Sequence, residues 1–180
     1  MGEPRRVDPV MLVVAAFSRH AAALDWARAR LTADFGPLAL AGTPYHFHHT
    51  RYYEATMGAD LHKQLLAFAT LRPADTLPDV KLHTNALEEE LTAGGSYPEP
   101  RPVNLDPGFL SLGKFVLATV KDQQHRLYLR DGIFAEVTLR FMDRSYEPWP
   151  WTYADYQEPA VIAFLNEARS LYREQLKGGQ

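Results

Sequence analysis

His125 and Glu136 are the clearest candidates for chemistry, because the sequence predicts that one β-hairpin brings them together. Asp131–Gly132 is a strong signal for a two-residue turn between two strands. Continuing the strand register back from this turn places His125 opposite Thr138 and diagonal to Glu136 on one face of the sheet. A neighbouring carboxylate orients an imidazole and raises its pKa, which suits general acid–base work. The sequence therefore predicts His125 and Glu136 as catalytic residues, with Thr138 beside them as a ligand contact.

Two basic residues lie near this pair. Lys121 and His125 flank a three-residue connection, so Lys121 is expected at the same end of the hairpin as a third catalytic candidate. Arg126 would add positive charge for a phosphate, although the register places it on the opposite face. The alternative is an exposed polar face of an antiparallel sheet that binds nothing. A one-residue bulge would change every one of these pairings.

Further binding candidates come from a turn and from an aromatic segment. Asn104 and Asp106 flank an apolar residue and share a strand face if a strand extends that far. The segment 146–156 (YEPWPWTYADY) includes Trp151 and Tyr156, whose rings could stack on a base or a sugar. The alternative is a strap that packs over an edge of the core or against a partner protein. In the same segment, Asp155 with Glu158 is expected to form a helix-capping box.

Other motifs are incomplete. Residues 108–114 have the G-x-x-x-x-G-K spacing of a P-loop, but Phe115 stands where a hydroxyl should bind magnesium, and a strand is predicted to follow instead of a helix. In the cluster His46, His48 and His49, the imidazoles of 46 and 48 project to one side of a strand and could begin a metal site, with Glu54 or His62 as candidate third ligand. The alternative is a His-rich polar loop, and no residue is assigned as a metal ligand. The fingerprints G-x-S-x-G, G-x-G-x-x-G and H-E-x-x-H are absent.

The hydrophobic pattern predicts the elements that must position these residues. An apolar run over 10–17 indicates a buried strand, and Leu24, Ala27, Leu31 and Phe35 give the next helix an apolar face that ends at Gly36. Further expected elements are a short strand over 38–41, a hairpin 50–57/61–70, a helix within 79–93 with an Asn85–Glu88 capping box, strands over 115–121, 126–130 and 133–141, and a C-terminal helix with Val161, Phe164, Leu165, Ala168, Leu171 and Tyr172 on one face.

This order predicts an α+β fold: a ferredoxin-like β-α-β-β-α-β unit, extended by a three-stranded antiparallel meander and a C-terminal helix. Residues 1–9 are expected to form a flexible arm and residues 10–180 a single domain. The Gly- and Pro-rich stretch 94–102 is the only candidate for a sub-domain boundary.

Composition narrows the function classes. The 180 residues are 46% hydrophobic with a formal net charge of -3, so a nucleic acid or an anionic membrane is not the expected partner. Cysteine is absent, which excludes disulfides, thiolate metal sites and a cysteine nucleophile. No apolar stretch approaches the length of a membrane span, and residues 1–9 show no secretory signal. A soluble cytoplasmic protein is expected.

Several blocks of sequence resemble an uncharacterised bacterial family, domain of unknown function 4416. The blocks cover nearly the whole chain: Thr50, Tyr52–Glu54, Met57–Gly58, Lys81, Thr84–Asn85, Asn104–Gly108, Val116–Thr119, Lys121, His125–Tyr128, Gly132–Leu139 and Trp151–Tyr156. The resemblance implies a single bacterial domain and no established activity, although some members carry a GTP-binding label. Its pattern includes Lys121, His125, Glu136 and Thr138, the cluster that strand register brings together.

The expected function is binding of an anionic small molecule, a nucleotide or a sugar phosphate, on the meander sheet, with acid–base catalysis as an open extension. No cofactor is assigned. One alternative is a non-catalytic interaction or assembly module, which leaves a homodimer open. The other is GTP binding, which no intact P-loop supports.

Overall fold

The structure is a computed structural model of the chain, and it describes residues 2–3, 7–50 and 52–178. Part of the expected N-terminal arm, residues 1 and 4–6, lies outside the described residues. The elements in chain order are β1 (Met11–Ser18), α1 (Ala21–Phe35), β2 (Leu38–Ala41), β3 (Tyr45–His46), α2 (Glu54–Met57), β4 (His62–Phe68), α3 (Leu77–Ala93), β5 (Asn104–Leu110), β6 (Lys114–Thr119), β7 (Leu127–Arg130), β8 (Ile133–Met142), β9 (Ser145–Pro148) and α4 (Pro159–Gly178), with short 3-10 turns at Ala74–Thr76 and Ala154–Gln157.

The fold is mixed α+β and is built on one antiparallel sheet. Its strands follow the order β2-β4-β1-β5-β6-β8-β7, while β3 pairs with β4 and β9 pairs with β8. β1 is buried along its whole length because helices cover both faces of the sheet. Leu12 and Val14 pack with α1 and α3, whereas Met11 and Val13 pack with α4. This sandwich explains why 10–17 is a continuous apolar run.

The first and last helices confirm the helical periodicity of the sequence. α1 buries the four apolar residues of its predicted face and ends at Gly36, whose φ of 94° favours glycine. α4 buries five of the six residues of its predicted face, and the sixth, Leu171, is partly exposed. Both helices lie against the sheet through these faces, as the amphipathic pattern requires.

Two local predictions were wrong. Residues 50–57 do not form a strand: the described part of this segment holds a turn and the four-residue helix α2, and β4 pairs instead with β1, β2 and β3. Asn85 caps no helix, because α3 already begins at Leu77 and places Asn85 in its interior. The second error arises from Pro78, which the prediction treated as the end of the preceding strand. Proline is also well tolerated in the first turn of a helix, and α3 uses it there.

The expected meander is also rearranged, because β8 lies between β6 and β7. β8 is ten residues long, so it pairs with β6 on one side and has room for both β7 and β9 on the other. β7 has four residues, all exposed, and takes the edge of the sheet. β9 adds a further strand within the segment expected to be an aromatic strap.

The sheet opens where β5 and β6 separate. Their pairing covers only Gly108–Leu110 of β5 against Phe115–Leu117 of β6 within the described residues. It stops beside Pro107, which has no N–H to donate to a neighbouring strand. Gly108 allows the close approach at this point, because a Cβ there would lie 2.7 Å from the Val116 oxygen. Beyond it, the start of β5 and the end of β6 diverge and leave a cleft.

Candidate functional site

The cleft at this opening has a volume of about 440 Å³, within the range of small-molecule sites. It extends through the sheet, since residues of α3 reach it from one side and residues before α4 from the other. Its lining includes four Lys and Arg side chains, three carboxylates and seven rings: Lys63, Lys81, Arg101 and Lys121; Asp106, Glu136 and Asp155; Phe17, Phe47, His49, Tyr52, Tyr53, Tyr153 and Tyr156.

One row of neighbouring residues crosses four strands, and its members on β4, β1 and β5 form the floor of the cleft. Tyr45, Lys63, Phe17 and Asn104 lie side by side on β3, β4, β1 and β5. Residues directly opposite each other share a face of a sheet, so this row faces α4. Asp106 lies two residues further along β5 on the same face, which confirms that Asn104 and Asp106 share a strand face.

Lys63 is a buried lysine on this floor, with an exposed fraction of only 1%. Its ammonium group donates a hydrogen bond to the Asp155 carboxylate. The nitrogen also lies 4.1 Å from the ring centre of Tyr156 and 4.5 Å from that of Phe17. A carboxylate and aromatic faces together stabilise a buried ammonium group. The carboxylate of Asp155 therefore serves as the partner of Lys63, whereas the sequence predicted a helix cap.

Lys81 enters the cleft from α3. Its ammonium donates to the Leu105 carbonyl at 3.0 Å and lies 3.5 Å from an Asp106 carboxylate oxygen. Two turns further along α3, Glu88 accepts hydrogen bonds from the Leu105 N–H at 2.7 Å and from the Arg101 guanidinium at 2.7 and 3.0 Å. Burial raises the pKa of Glu88, and the nearby Lys81 and Arg101 charges oppose that rise. These bonds fix the start of β5, which carries Asn104 and Asp106.

Lys121 lies at the rim of the cleft after β6. Its ammonium donates to the Tyr52 hydroxyl at 2.8 Å and lies 4.3 Å from the centre of that ring. This hydrogen bond and the positive charge lower the pKa of Tyr52. Among the described residues, no carboxylate forms an ion pair with Lys121. Its charge is therefore available to a ligand.

Glu136 faces the cleft from β8 and is the centre of a polar network. Its carboxylate accepts from Arg126 Nε at 2.9 Å, contacts His125 Nε2 at 3.1 Å and accepts from the Thr138 hydroxyl at 3.3 Å. Arg126 also donates to the Lys121 carbonyl at 2.9 Å and to the Tyr153 hydroxyl at 2.6 Å. These bonds tie the 120–126 connection to the wall of the cleft.

The predicted cluster forms, but not through the predicted register. Arg130 pairs with Ile133 as expected, whereas Tyr128 pairs with Phe134, so Leu129 is an additional residue in an irregular pairing. His125 lies in the loop before β7 and reaches Glu136 from there. Arg126, expected on the opposite face, is turned inward by its ion pair with Glu136, because a buried carboxylate requires a partner.

Five of the nine sequence-predicted site residues line the cleft, and four do not. Lys121, Glu136, Asp106, Asn104 and Tyr156 line it. His125, Arg126 and Thr138 stand behind Glu136 and contact it. Trp151 lies on the outer side of His125, with ring centres 5.4 Å apart and nearly parallel planes.

The segment 149–153 covers an unpaired stretch of β8 between β7 and β9. Trp151 donates its ring N–H to the Val137 carbonyl at 3.0 Å, and the Thr152 hydroxyl donates to the Thr138 carbonyl at 2.5 Å. Trp149 stacks on Trp151 with ring centres 5.2 Å apart. This segment therefore satisfies backbone acceptors of the sheet and holds His125 between Trp151 and Glu136.

Two buried polar atoms on the cleft wall make no hydrogen bond with any described residue. They are Asn104 Nδ2 and the Tyr156 hydroxyl, on side chains that are 2% and 3% exposed. Burial raises the pKa of Tyr156, and the Asp155 and Asp106 charges raise it further, so the hydroxyl keeps its proton. A buried donor without a partner costs free energy, and a ligand acceptor would recover it.

The other sequence motifs contribute one residue to this site, since His49 lines the cleft whereas His46 and His48 do not. The G-x-x-x-x-G-K residues form the β5–β6 hairpin, and Lys114 begins β6, so no helix follows them. His46 and His48 stack with ring centres 5.8 Å apart. Within the described residues, no group of three or more His, Cys, Asp or Glu side chains is arranged to hold a metal ion.

Sequence reasoning missed Lys63, Lys81 and the role of Asp155. One sequence feature could have identified the two lysines, namely a charged residue among apolar neighbours. Lys63 stands in the strand sequence H-K-Q-L-L-A-F, and Lys81 stands on a helix with apolar neighbours. A lysine in such a run has to find a carboxylate, because a lone buried charge is strongly unfavourable. The partner of Lys63 lies 92 positions away in the chain, and no local pattern identifies it.

Comparisons with known proteins identify a family without a described activity. Neither the comparison with curated proteins nor that with solved structures gave a match. Within the described residues, no helix is both long enough and apolar enough to cross a membrane. The sequence model of the family described as Domain of unknown function (DUF4416) matches residues 8–172, which is most of the chain. The chain therefore belongs to the DUF4416 family.

Proposed function

We propose that this protein binds a small anionic molecule, of the nucleotide or sugar phosphate class, in the cleft between β5 and β6. The observation that carries the proposal is the chemistry of two buried donors without partners and of one ammonium group whose charge no described carboxylate neutralises. Asn104 Nδ2, the protonated Tyr156 hydroxyl and the Lys121 ammonium are all hydrogen-bond donors. A ligand rich in acceptor oxygens matches this set, and a cationic ligand does not.

The charge balance of the cleft supports an anion. Lys63 and Lys81 lie against carboxylates of the cleft itself, and Arg101 is paired with Glu88 outside it. Arg126 pairs with Glu136 from behind. Lys121 is left as the positive charge that no described carboxylate neutralises. A low-dielectric wall of tyrosine and phenylalanine rings strengthens its attraction for an anion.

An acid–base role extends the proposal. Glu136 faces the ligand volume, while His125 contacts the same carboxylate oxygen as Arg126 and is partly open to solvent. In this arrangement Glu136 accepts a proton from a bound ligand, and His125 exchanges it with solvent. Arg126 and Thr138 fix the carboxylate. The enzyme hypothesis depends on this step, and the binding hypothesis does not.

We also propose that the first half of the chain is a ferredoxin-like unit and that residues 10–180 form one domain. The order β2-β4-β1-β5 with antiparallel neighbours supports the former. Pairing of β1 with β5 across the 94–102 stretch supports the latter. GTP binding is a weaker candidate, because its only motif forms a β-hairpin with no helix after it and the lysine of that motif, Lys114, does not line the cleft.

A thermal-shift screen tests the binding proposal, with inorganic phosphate, sugar phosphates, nucleoside mono- and triphosphates and divalent metals as probes. A ligand at 100 times its dissociation constant should stabilise the native state by about 2.7 kcal/mol, which raises the melting temperature measurably. Lys121→Met and His125→Ala are compared with the wild type, and Lys114→Met is the matched control because Lys114 is an exposed lysine outside the cleft.

We expect a shift with a phosphate compound that disappears in Lys121→Met and persists in Lys114→Met. If the thermal shift also disappears in His125→Ala, the contacts of His125, Arg126 and Thr138 with Glu136 are needed for binding. A shift that disappears only in Lys114→Met would favour the hairpin motif, and no shift with any probe would contradict the proposal at those concentrations.

A further inference from the structure

β7 is an open edge of the sheet. It is the last strand in the sheet order and pairs only with β8 among the described strands. Its outer side therefore presents backbone N–H and C=O groups that no described strand pairs. Such an edge is a template for another strand unless charge, proline, a bulge, a short length or a covering segment blunts it. β7 has only four residues and its pairing with β8 is irregular at Leu129, so pairing at this edge is confined to a few residues. The segment 149–153 covers the neighbouring stretch of β8 and leaves β7 uncovered.

Three of the four side chains of β7 are apolar and face solvent. Leu127, Tyr128 and Leu129 are 73%, 62% and 39% exposed. Three consecutive exposed apolar residues on a free edge are unusual, because natural edge strands usually carry blocking charges. The only charge on β7, Arg130, is held by Asp79 of α3 at 2.5 Å and by Asp131 at 2.8 Å. It is therefore directed to its own chain and does not block the edge.

The apolar surface continues beyond the strand into a groove of about 480 Å³ on the α3 side of the sheet. Leu129 belongs to both the edge and the groove. The groove walls are mostly apolar and include Leu77, Phe109, Val116 and Ala135. A strand added to β7 would thus gain backbone hydrogen bonds at the edge and apolar contacts beside it.

The sequence of β7 is self-complementary. Leu-Tyr-Leu reads the same in both directions about Tyr128, with an arginine on either side. A two-fold axis at Tyr128 would place Leu127 opposite Leu129 of a second copy, so apolar residues face apolar residues. The two flanking arginines would come opposite each other. Both are already neutralised, Arg126 by Glu136 and Arg130 by Asp79, so their repulsion is small.

We propose that β7 is a dimerisation edge and that a second copy of this chain pairs with it as an antiparallel, two-fold related strand. The proposal does not depend on the ligand proposed for the cleft. Because β7 has only four residues, the shared area is small and the dimer is expected to form in the micromolar range or weaker.

Sedimentation equilibrium of the full chain over a concentration series tests this proposal. The wild type should rise from the chain mass of 20.4 kDa towards twice that value as concentration increases. Tyr128→Lys and Leu127→Lys should each remain at the mass of one chain, because a lysine on an edge opposes pairing. Leu82→Lys is the control, as Leu82 is an exposed apolar residue on α3, and it should dimerise as the wild type does.

A cysteine scan gives a second measurement that does not depend on stability. The chain has no cysteine, so Tyr128→Cys introduces a single thiol. Two-fold pairing about residue 128 places the two thiols directly opposite, and mild oxidation should give a disulfide-linked dimer much faster than in Leu82→Cys. A wild-type mass of one chain at every concentration would overturn the proposal, as would a dimer that persists in both lysine variants.

Discussion

Arg126 Nε donates to Glu136 Oε2 at 2.9 Å, and both side chains are almost completely withdrawn from solvent. This ion pair joins the 120–126 connection to β8. Glu136 in turn contacts His125 and faces the cleft. The pair therefore determines where the candidate acid–base residues lie, and strand register contributes little to their placement.

Arg126→Met is expected to lower the free energy of unfolding by about 3 kcal/mol or more, because it leaves the Glu136 carboxylate buried without a counter-charge. Chemical denaturation measures this loss. Arg28→Met is the control, since Arg28 pairs with Asp25 at the surface and should cost less than about 1 kcal/mol. Equal losses in the two variants would show that the Arg126–Glu136 pair is not buried as described.

Gly108→Ala is expected to destabilise the fold by about 2 kcal/mol through overpacking. A Cβ at this position would lie 2.7 Å from both the Val116 carbonyl oxygen and a Phe115 ring atom, and the backbone oxygen cannot move cheaply. Gly113→Ala in the same hairpin has no heavy atom within 4 Å of the new Cβ and serves as the control. Urea unfolding of the two variants compares them, and a Gly108→Ala protein as stable as Gly113→Ala would contradict the tight approach of β6.

The raised pKa of Glu88 predicts a specific pH dependence. Burial is the main cause of the rise, so folding favours the protonated carboxyl group. The stabilisation from this group is complete at low pH and is lost as pH rises past the ordinary value of 4.5 towards the folded pKa. The free energy of unfolding of Glu88→Gln, relative to the wild type, should therefore increase over that pH window. A difference that stays constant or falls with rising pH would contradict a raised pKa.

Lys121 lowers the pKa of Tyr52, so one tyrosine should titrate below the usual value of about 10. Tyrosine-selective NMR at increasing pH can follow each ring, and Tyr52→Phe assigns the signal. In Lys121→Met the pKa of Tyr52 should rise, because the ammonium no longer stabilises the phenolate. An unchanged pKa would mean that Lys121 does not hold Tyr52 at the rim of the cleft.

The sequence predicted the elements with strong periodicity and the proximity of one cluster. β1, α1 and α4 follow from apolar patterns that are either continuous or helical, and the Asp131–Gly132 turn follows from local backbone preference. His125 and Glu136 come together as expected, 11 positions apart in the chain.

Long-range geometry was not predictable in the same way. The additional residue Leu129 shifts the β7 register, and nothing in Leu-Tyr-Leu-Arg distinguishes a regular strand from a bulged one. The cleft itself depends on the separation of β5 and β6 at Pro107. The two residues of its buried Lys63–Asp155 pair lie 92 positions apart in the chain, and only tertiary packing brings them together.

The central claim is that the β5–β6 cleft binds an anion, and an NMR titration with inorganic phosphate tests it most directly. The side-chain amide of Asn104 and the backbone amides of Thr119 and Lys121 should shift together and reach saturation, and Asn104→Asp should abolish the response because it replaces a donor with a negative charge. Shifts that never saturate, or that lie at Lys114 and the rest of the β5–β6 hairpin while Asn104 is unchanged, would contradict the account.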